Sequence, residues 1–129
     1  MAASDLILVA EDNDFVRMQI VKYLSDHGYS VLEAANGNEA IECAKKENIS
    51  LSIVDVRMEP VDGFDFIRTI HSINIEIPVI LVTGDNNPDL LKKAGEFKVS
   101  AMLTKPVQKD RLLKAVERTL AMKKRKTEP

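Results

Sequence analysis

Four short apolar runs in this chain each stop on an ionic or hydroxyl-bearing residue. That shared ending constrains the fold more than any other feature. Leu51-Ser52-Ile53-Val54 ends on Asp55, Leu6 to Ala10 ends on Glu11-Asp12, Val79 to Val82 ends on Thr83, and Ala101-Met102-Leu103 runs through Thr104 to Lys105-Pro106. Short apolar runs bounded by turn residues read as buried strands. One carboxylate after a strand is ordinarily a turn or capping residue. Four reactive groups released at the same end of four strands are a different matter, because ligands bind at the carboxyl edge of an open parallel α/β sheet.

The stretches between these runs have helical spacing. A first helix follows Asn13 or Asp14 as cap and places Val16, Ile20, Leu24 and His27 on one stripe, supported by Phe15 and Tyr23; Gly28 stops it. Tyr29 to Ala34 is a further strand. Asn36 caps the second helix, with Glu39 where a capping box wants an acid and Ala40, Ile41 and Ala44 inward. The third helix carries Phe64, Ile67 and Ile70. After Thr83-Gly84-Asp85-Asn86, the pair Asn87-Pro88 opens a short fourth helix with Leu90, Leu91, Ala94 and Phe97. The fifth turns Leu112, Leu113, Val116 and Leu120 to the core. Regular βα alternation with short connections means right-handed crossovers and a doubly wound, five-stranded parallel sheet of the α/β class.

With 129 residues, 45% of them hydrophobic and 29% charged, the chain is one globular domain without extensive disorder. A net charge of −2 gives no footprint for nucleic acid or membrane, and no apolar run approaches a membrane span. The start, Met1 to Asp5, lacks a basic signal-peptide region. Cys43 is the one cysteine and falls among apolar helical positions, as a buried thiol would. A cytoplasmic setting is expected. His27 and His71 sit near helix ends as dipole-complementing residues, and Lys123-Lys124-Arg125-Lys126 reads as a solvated helix end. We expect a domain over residues 1–122 and a basic tail or linker start over 123–129.

If the first and third strands are neighbours, Glu11, Asp12 and Asp55 converge. Two carboxylates ~4 Å apart repel by roughly 4 kcal/mol at an effective dielectric of ~20, so the cluster calls for a cation or a shared proton. Oxygen donors without His or Cys select a hard ion, and Mg2+ is the natural choice. Thr83 offers a hydroxyl donor and Lys105 a point positive charge. Acids, hydroxyl and ammonium together suit a bound phosphoryl group, with Asp55 able to act as its nucleophile.

These residues resemble the receiver domain of two-component response regulators: Glu11-Asp12, Asp55 followed by Met58 and Asp62-Gly63, Thr83, and Lys105-Pro106, in order from about Asp5 to Leu120. The resemblance implies Asp55 as phosphoacceptor, with Thr83 and Lys105 completing the reactive set. It implies Asp12 as direct Mg2+ ligand, Glu11 acting through a metal-bound water, and the Arg57 carbonyl as a further ligand. It also implies a flavodoxin-like fold with strand order 2-1-3-4-5 and a cis Lys105-Pro106 peptide. The donor would be a sensor histidine kinase or a histidine phosphotransfer protein, or a small acyl phosphate. An effector, or a second copy of the chain, would read the state through the face of helix 4, strand 5 and helix 5. That face is basic here, with Lys92, Lys93, Lys109, Arg111, Lys114 and Arg118. Such a chain is a switch and not a multiple-turnover enzyme.

Three features depart from the family pattern. The proline after Met58 comes one place late, at Pro60. Met102 stands where the family has Tyr or Phe, the residue that moves inward with Thr83 in the switch. Arg57 and Asp85 occupy two rim positions flanking the path of attacking water, and their opposite charges suit a pair across the mouth that tunes the phosphoryl lifetime. A haloacid-dehalogenase-like phosphohydrolase is the alternative; it wants an Asp where Arg57 stands and a cap segment that this sequence lacks. A flavodoxin-like cofactor carrier is a weaker one, because Glu11-Asp12-Asn13-Asp14 would repel a phosphate.

Overall fold

The structure, a computed structural model, describes residues 5–85 and 87–127, with side chains to residue 124. Asn86, the first four residues and the last two of the tail therefore lie outside the described residues. Strands β1 (Leu6–Ala10), β2 (Ser30–Ala34), β3 (Leu51–Asp55), β4 (Val79–Thr83) and β5 (Ala101–Thr104) alternate with helices α1 (Asp14–Asp26), α2 (Gly37–Lys46), α3 (Gly63–Ser72), α4 (Pro88–Glu96) and α5 (Lys109–Thr127). All strand pairs are parallel, in the order β2-β1-β3-β4-β5. The expected α/β architecture, order included, is what the chain adopts.

Continuous apolar strands are explained by the two cores, one on each face of the sheet. Leu8, Val54 and Leu81 point to the core shared with Phe64, Phe66, Ile67 and Ile70 of α3 and Ala40 and Ala44 of α2. Their neighbours Ile7, Val9, Ile53, Ile80 and Val82 point the other way, to Ile20 and Leu24 of α1 and Leu112, Val116 and Leu120 of α5. Phe64 and Phe66 are almost fully buried, each worth ~1.5–3 kcal/mol against exposure. The order brings β1, β3 and β4 together at the centre, so their carboxyl ends, Glu11, Asp55 and Thr83, share one edge.

Helix starts follow the sequence signals. The Asn13 side chain accepts from the backbone N–H of Phe15 and Val16, and Asn36 accepts from Glu39. Asp62 and Asp65 form a full capping box on α3, and Asn87 caps α4 ahead of Pro88. Glu39 departs from the expected box: its carboxylate accepts from the Ala35 N–H and the Asn36 side-chain amide, one residue earlier than the cap backbone.

Four assignments to the interior need correction. Phe15 is 85% exposed and supports nothing in α1; one residue step turns a helix by roughly 100°, which carries it off the Val16-Ile20-Leu24 stripe. His27 lies past the last turn as C-cap, exposed, with Nε2 3.3 Å from Glu117 Oε1. Leu91 is 61% exposed for the same angular reason, leaving half-buried Leu90, buried Ala94 and half-buried Phe97 to hold α4. Cys43 is half-buried against the α2–α3 core, not fully enclosed. Helix α5 extends to Thr127. Lys93, expected on the basic docking face, is half-buried, its ammonium lying 4.4 Å from the Phe64 ring centroid.

Candidate functional site

Glu11 leaves β1 with its backbone N–H bonded to the Ala34 carbonyl of β2 at 3.0 Å. Its side chain turns inward and is buried, with Oε2 accepting from the Asn13 N–H at 3.1 Å. Asp12, next along the chain, faces solvent. Asp55 ends β3 and is buried; its Oδ1 accepts from the Arg57 N–H at 3.2 Å. Carboxylate oxygens of Glu11, Asp12 and Asp55 all lie within 4.8 Å of one another. The convergence expected from neighbouring strands is thus present.

One cation already faces this charge. Lys105, after β5, places Nζ 3.1 Å from Asp55 Oδ2 and 2.8 Å from Glu11 Oε1. The first contact is a hydrogen bond. The second is a closer charge contact with the buried Glu11 carboxylate. Partial desolvation pulls the Lys105 ammonium down, but contact with Glu11 and the charge of Asp55 outweigh it and hold its pKa above the ordinary lysine value. Partial burial, then the neighbouring Glu11, raises the Asp12 carboxyl. The donor set fits a hard divalent ion: three all-oxygen carboxylate donors share one ammonium, and the Asp12 carboxylate stands exposed at the mouth.

An open cleft of about 490 Å³ lies over these groups, lined by Asp12, Asn13, Asp55, Arg57, Gly84, Asp85 and Lys105. Arg57 and Asp85 meet across it, Nη2 to Oδ2 at 2.6 Å. The pairing expected from their charges is therefore in the structure. Thr83 is buried but turned into its own loop: its hydroxyl accepts from the Asp85 N–H at 3.0 Å and contacts the Asp85 carbonyl at 3.4 Å. Met102 is half-buried in register with Leu81 and lines a second cleft with Lys105, Pro106 and Arg111. Met58 is buried; the Lys105-Pro106 peptide is cis, as is Glu59-Pro60 at the displaced proline.

Asn13 and Gly84 also line the site, beyond the residues that the sequence points to. Each directly follows one of those residues, Asp12 and Thr83, and that adjacency is the available signal.

A family described as the response regulator receiver domain matches residues 7–117 of the chain. The transcriptional regulatory protein PdtaR of Mycobacterium tuberculosis is 35% identical over 112 residues, 86% of this chain and 54% of that protein. The chemotaxis protein CheY of Bacillus subtilis is 30% identical over 115 residues, 88% of this chain and 96% of its own length. The structure of a response regulator receiver protein from Pseudomonas putida superposes with a TM-score of 0.86 at 32% identity, covering 92% of this chain and 99% of that one. The chain spans about half the length of PdtaR and nearly all of CheY. No helix among the described residues is long and apolar enough to cross a membrane. Nothing in these likenesses favours the haloacid-dehalogenase alternative. With its acids, hydroxyl and lysine gathered on the one edge where this fold carries chemistry, the chain belongs to the response regulator receiver family and is a phosphorylation-operated signalling domain of two-component systems.

Proposed function

We propose that Asp55 accepts a phosphoryl group from a phosphohistidine on a sensor kinase or phosphotransfer protein, with Mg2+ bound by Glu11, Asp12 and Asp55 and the Arg57 carbonyl as a further ligand. Supporting this reading above all is the convergence of the Glu11, Asp12 and Asp55 carboxylates within 4.8 Å of one another beside Lys105. When bound, Mg2+ supplies charge neutralisation for the acids and for the phosphoryl oxygens.

The chain's own groups do the rest. An Asp55 carboxylate oxygen attacks phosphorus, the P–N bond breaks, and its electron pair returns to the imidazole. Lys105, already hydrogen-bonded to Asp55, neutralises a phosphoryl oxygen. Thr83 must turn its hydroxyl out of the Asp85 loop to orient another, and that turn couples the site to α4. The state is then read on the α4, β5 and α5 face, where Leu91, Lys92, Lys109, Arg111, Lys114 and Arg118 are each exposed and the basic residues suit an acidic partner or a second copy. Met102 takes the aromatic switch position as a flexible apolar filler. The protein works in the cytoplasm, a setting in which a half-buried free thiol at Cys43 is stable.

The test is incubation of wild type and Asp55→Asn with labelled acetyl phosphate and magnesium. Wild type takes up acid-stable, hydroxylamine-labile label and the variant takes up none. Equal labelling of the two overturns the assignment.

A further inference from the structure

Arg17 belongs to none of the groups above, yet it is tied to the acid cluster more firmly than an ordinary surface arginine. It stands one turn into α1, with its side chain only 15% exposed. Its Nη2 reaches Asp14 Oδ1 at 2.7 Å, its Nε reaches Glu33 Oε1 on β2 at 3.2 Å, and its Nη1 donates to the Glu11 carbonyl at 2.8 Å. Asp14 is 77% exposed and Glu33 50%, so those two pairs alone would count for little. The third bond differs in kind. Beyond Ala10 the chain leaves the β1 ladder, and the Glu11 carbonyl belongs to the very peptide whose N–H is that of Asp12.

Glu11 is therefore pinned on every side, with Arg17 as the side chain that holds the peptide leading to Asp12. The Glu11 N–H is held by Ala34, the carboxylate by Asn13, and the carbonyl by Arg17. Rotation of the Glu11-Asp12 peptide would swing the Asp12 side chain relative to Asp55. A planar guanidinium fixed at its other corners to α1 and β2 opposes that rotation, and an ammonium cannot span three acceptors in the same fork.

We propose that Arg17 is a positioning residue for the acidic pair: by holding the Glu11 carbonyl it presents the Asp12 carboxylate to the divalent cation. The proposal rests on the metal reading of the site and deepens it.

The experiment compares wild type with Arg17→Lys and Arg17→Gln. Magnesium affinity is measured by titration calorimetry without phosphodonor, and Asp55 labelling by acetyl phosphate is measured against magnesium concentration. Arg17→Lys keeps the charge, so any change it causes reports geometry and not the field at the site. Both variants should bind magnesium about ten-fold more weakly, the lower end of what loss of an outer partner costs a metal site. Their half-saturating magnesium for labelling should rise in step, while the labelling rate at saturating magnesium returns to that of wild type.

Unchanged affinity in Arg17→Lys, or a labelling defect that saturating magnesium does not restore, overturns the proposal. So does failure of both variants to fold, which would make Arg17 a residue of stability. Absence of magnesium binding in wild type would instead sink the metal reading beneath it.

Discussion

Lys105 Nζ stands 2.8 Å from Glu11 Oε1, so the buried carboxylate of β1 is neutralised by a cation delivered from the far end of the sheet. The same ammonium hydrogen-bonds Asp55, and Lys105→Met would leave both acids facing each other uncompensated. Without metal, the variant should lose about 1–3 kcal/mol of stability, the usual cost of stranding a buried polar group. Added magnesium should then raise its melting temperature more than that of wild type. The Lys105 pKa is raised, so the lysine's contribution is fully present below the ordinary value of 10.5 and lost only as pH climbs through the higher folded-state value. The stability gap should therefore persist from neutral pH up to that range. Equal magnesium responses in variant and wild type would count against the arrangement.

Arg57 and Asp85 close the mouth of the cleft with a 2.6 Å contact. Arg57 is 74% exposed and Asp85 35%, so the pair adds less than ~1 kcal/mol to folding. Its expected effect is kinetic. With the pair in place, water reaches the phosphorylated Asp55 past a bridged rim; Arg57→Ala or Asp85→Ala opens that path. Phosphate release should change several-fold in both single variants, and the double variant should show no further change, because one bridge is lost in each. Unchanged lifetimes in both singles would remove the rim from the mechanism.

Much of this was legible in the chain. The central strands that lead to Glu11, Asp55 and Thr83 are legible because both sheet faces are buried there, which keeps them almost wholly apolar up to the reactive residue; β5, which leads to Lys105, is only half-buried and shorter. Caps at Asn13, Asn36 and Asn87 were legible because the side-chain acceptor must sit at a fixed offset from the N–H it takes. Phe15 and Leu91 misled because hydrophobicity was counted without its angle on the helix. The inward turn of Thr83 onto Asp85, and the reach of Arg17 to a backbone carbonyl, depend on rotamers that no spacing encodes.

Gly63 packs the start of α3 directly onto the end of β3. A Cβ there would lie 2.8 Å from the Asp55 carbonyl oxygen and 3.1 Å from Val56 Cα, both backbone atoms that cannot turn aside. Gly63→Ala should therefore cost ~1–3 kcal/mol as overpacking. It should also slow Asp55 labelling, since relief of the clash displaces the acceptor's own backbone. Chemical denaturation and acetyl phosphate labelling check the two halves. A variant as stable and as reactive as wild type would contradict the close approach.

Burial first, then the charges of Glu39 and Glu47, raises the Cys43 thiol above its ordinary value. A thiol raised in the folded state stays protonated where the unfolded chain has begun to ionise. Its contribution is thus complete below the unfolded pKa of about 8.5 and declines as pH rises through the folded value. Iodoacetamide should label Cys43 in the native protein more slowly than a free cysteine at pH 8, with a rate still climbing at pH 9.5. A native rate profile matching free cysteine would show the thiol to be fully solvated.

Helix α4 offers few apolar residues to the core, and its hold on α3 depends on Phe97. That ring meets Phe64 edge-on with centroids 5.0 Å apart, under the Arg68 guanidinium at 5.2 Å and beside the Lys93 ammonium at 5.9 Å. Half-buried aromatic packing with cations on the ring faces gives an expected cost of about 2 kcal/mol for Phe97→Ala, against ~0.5 kcal/mol for Arg68→Ala, which removes one cation and keeps the ring pair. Since Thr83 and Asp85 lie immediately before α4, the loss should be local. Amide exchange should accelerate across residues 88–99 while the protection of β1 and β3 holds. Uniform acceleration through the sheet would mean that Phe97 supports the whole core, and that α4 cannot move independently of it.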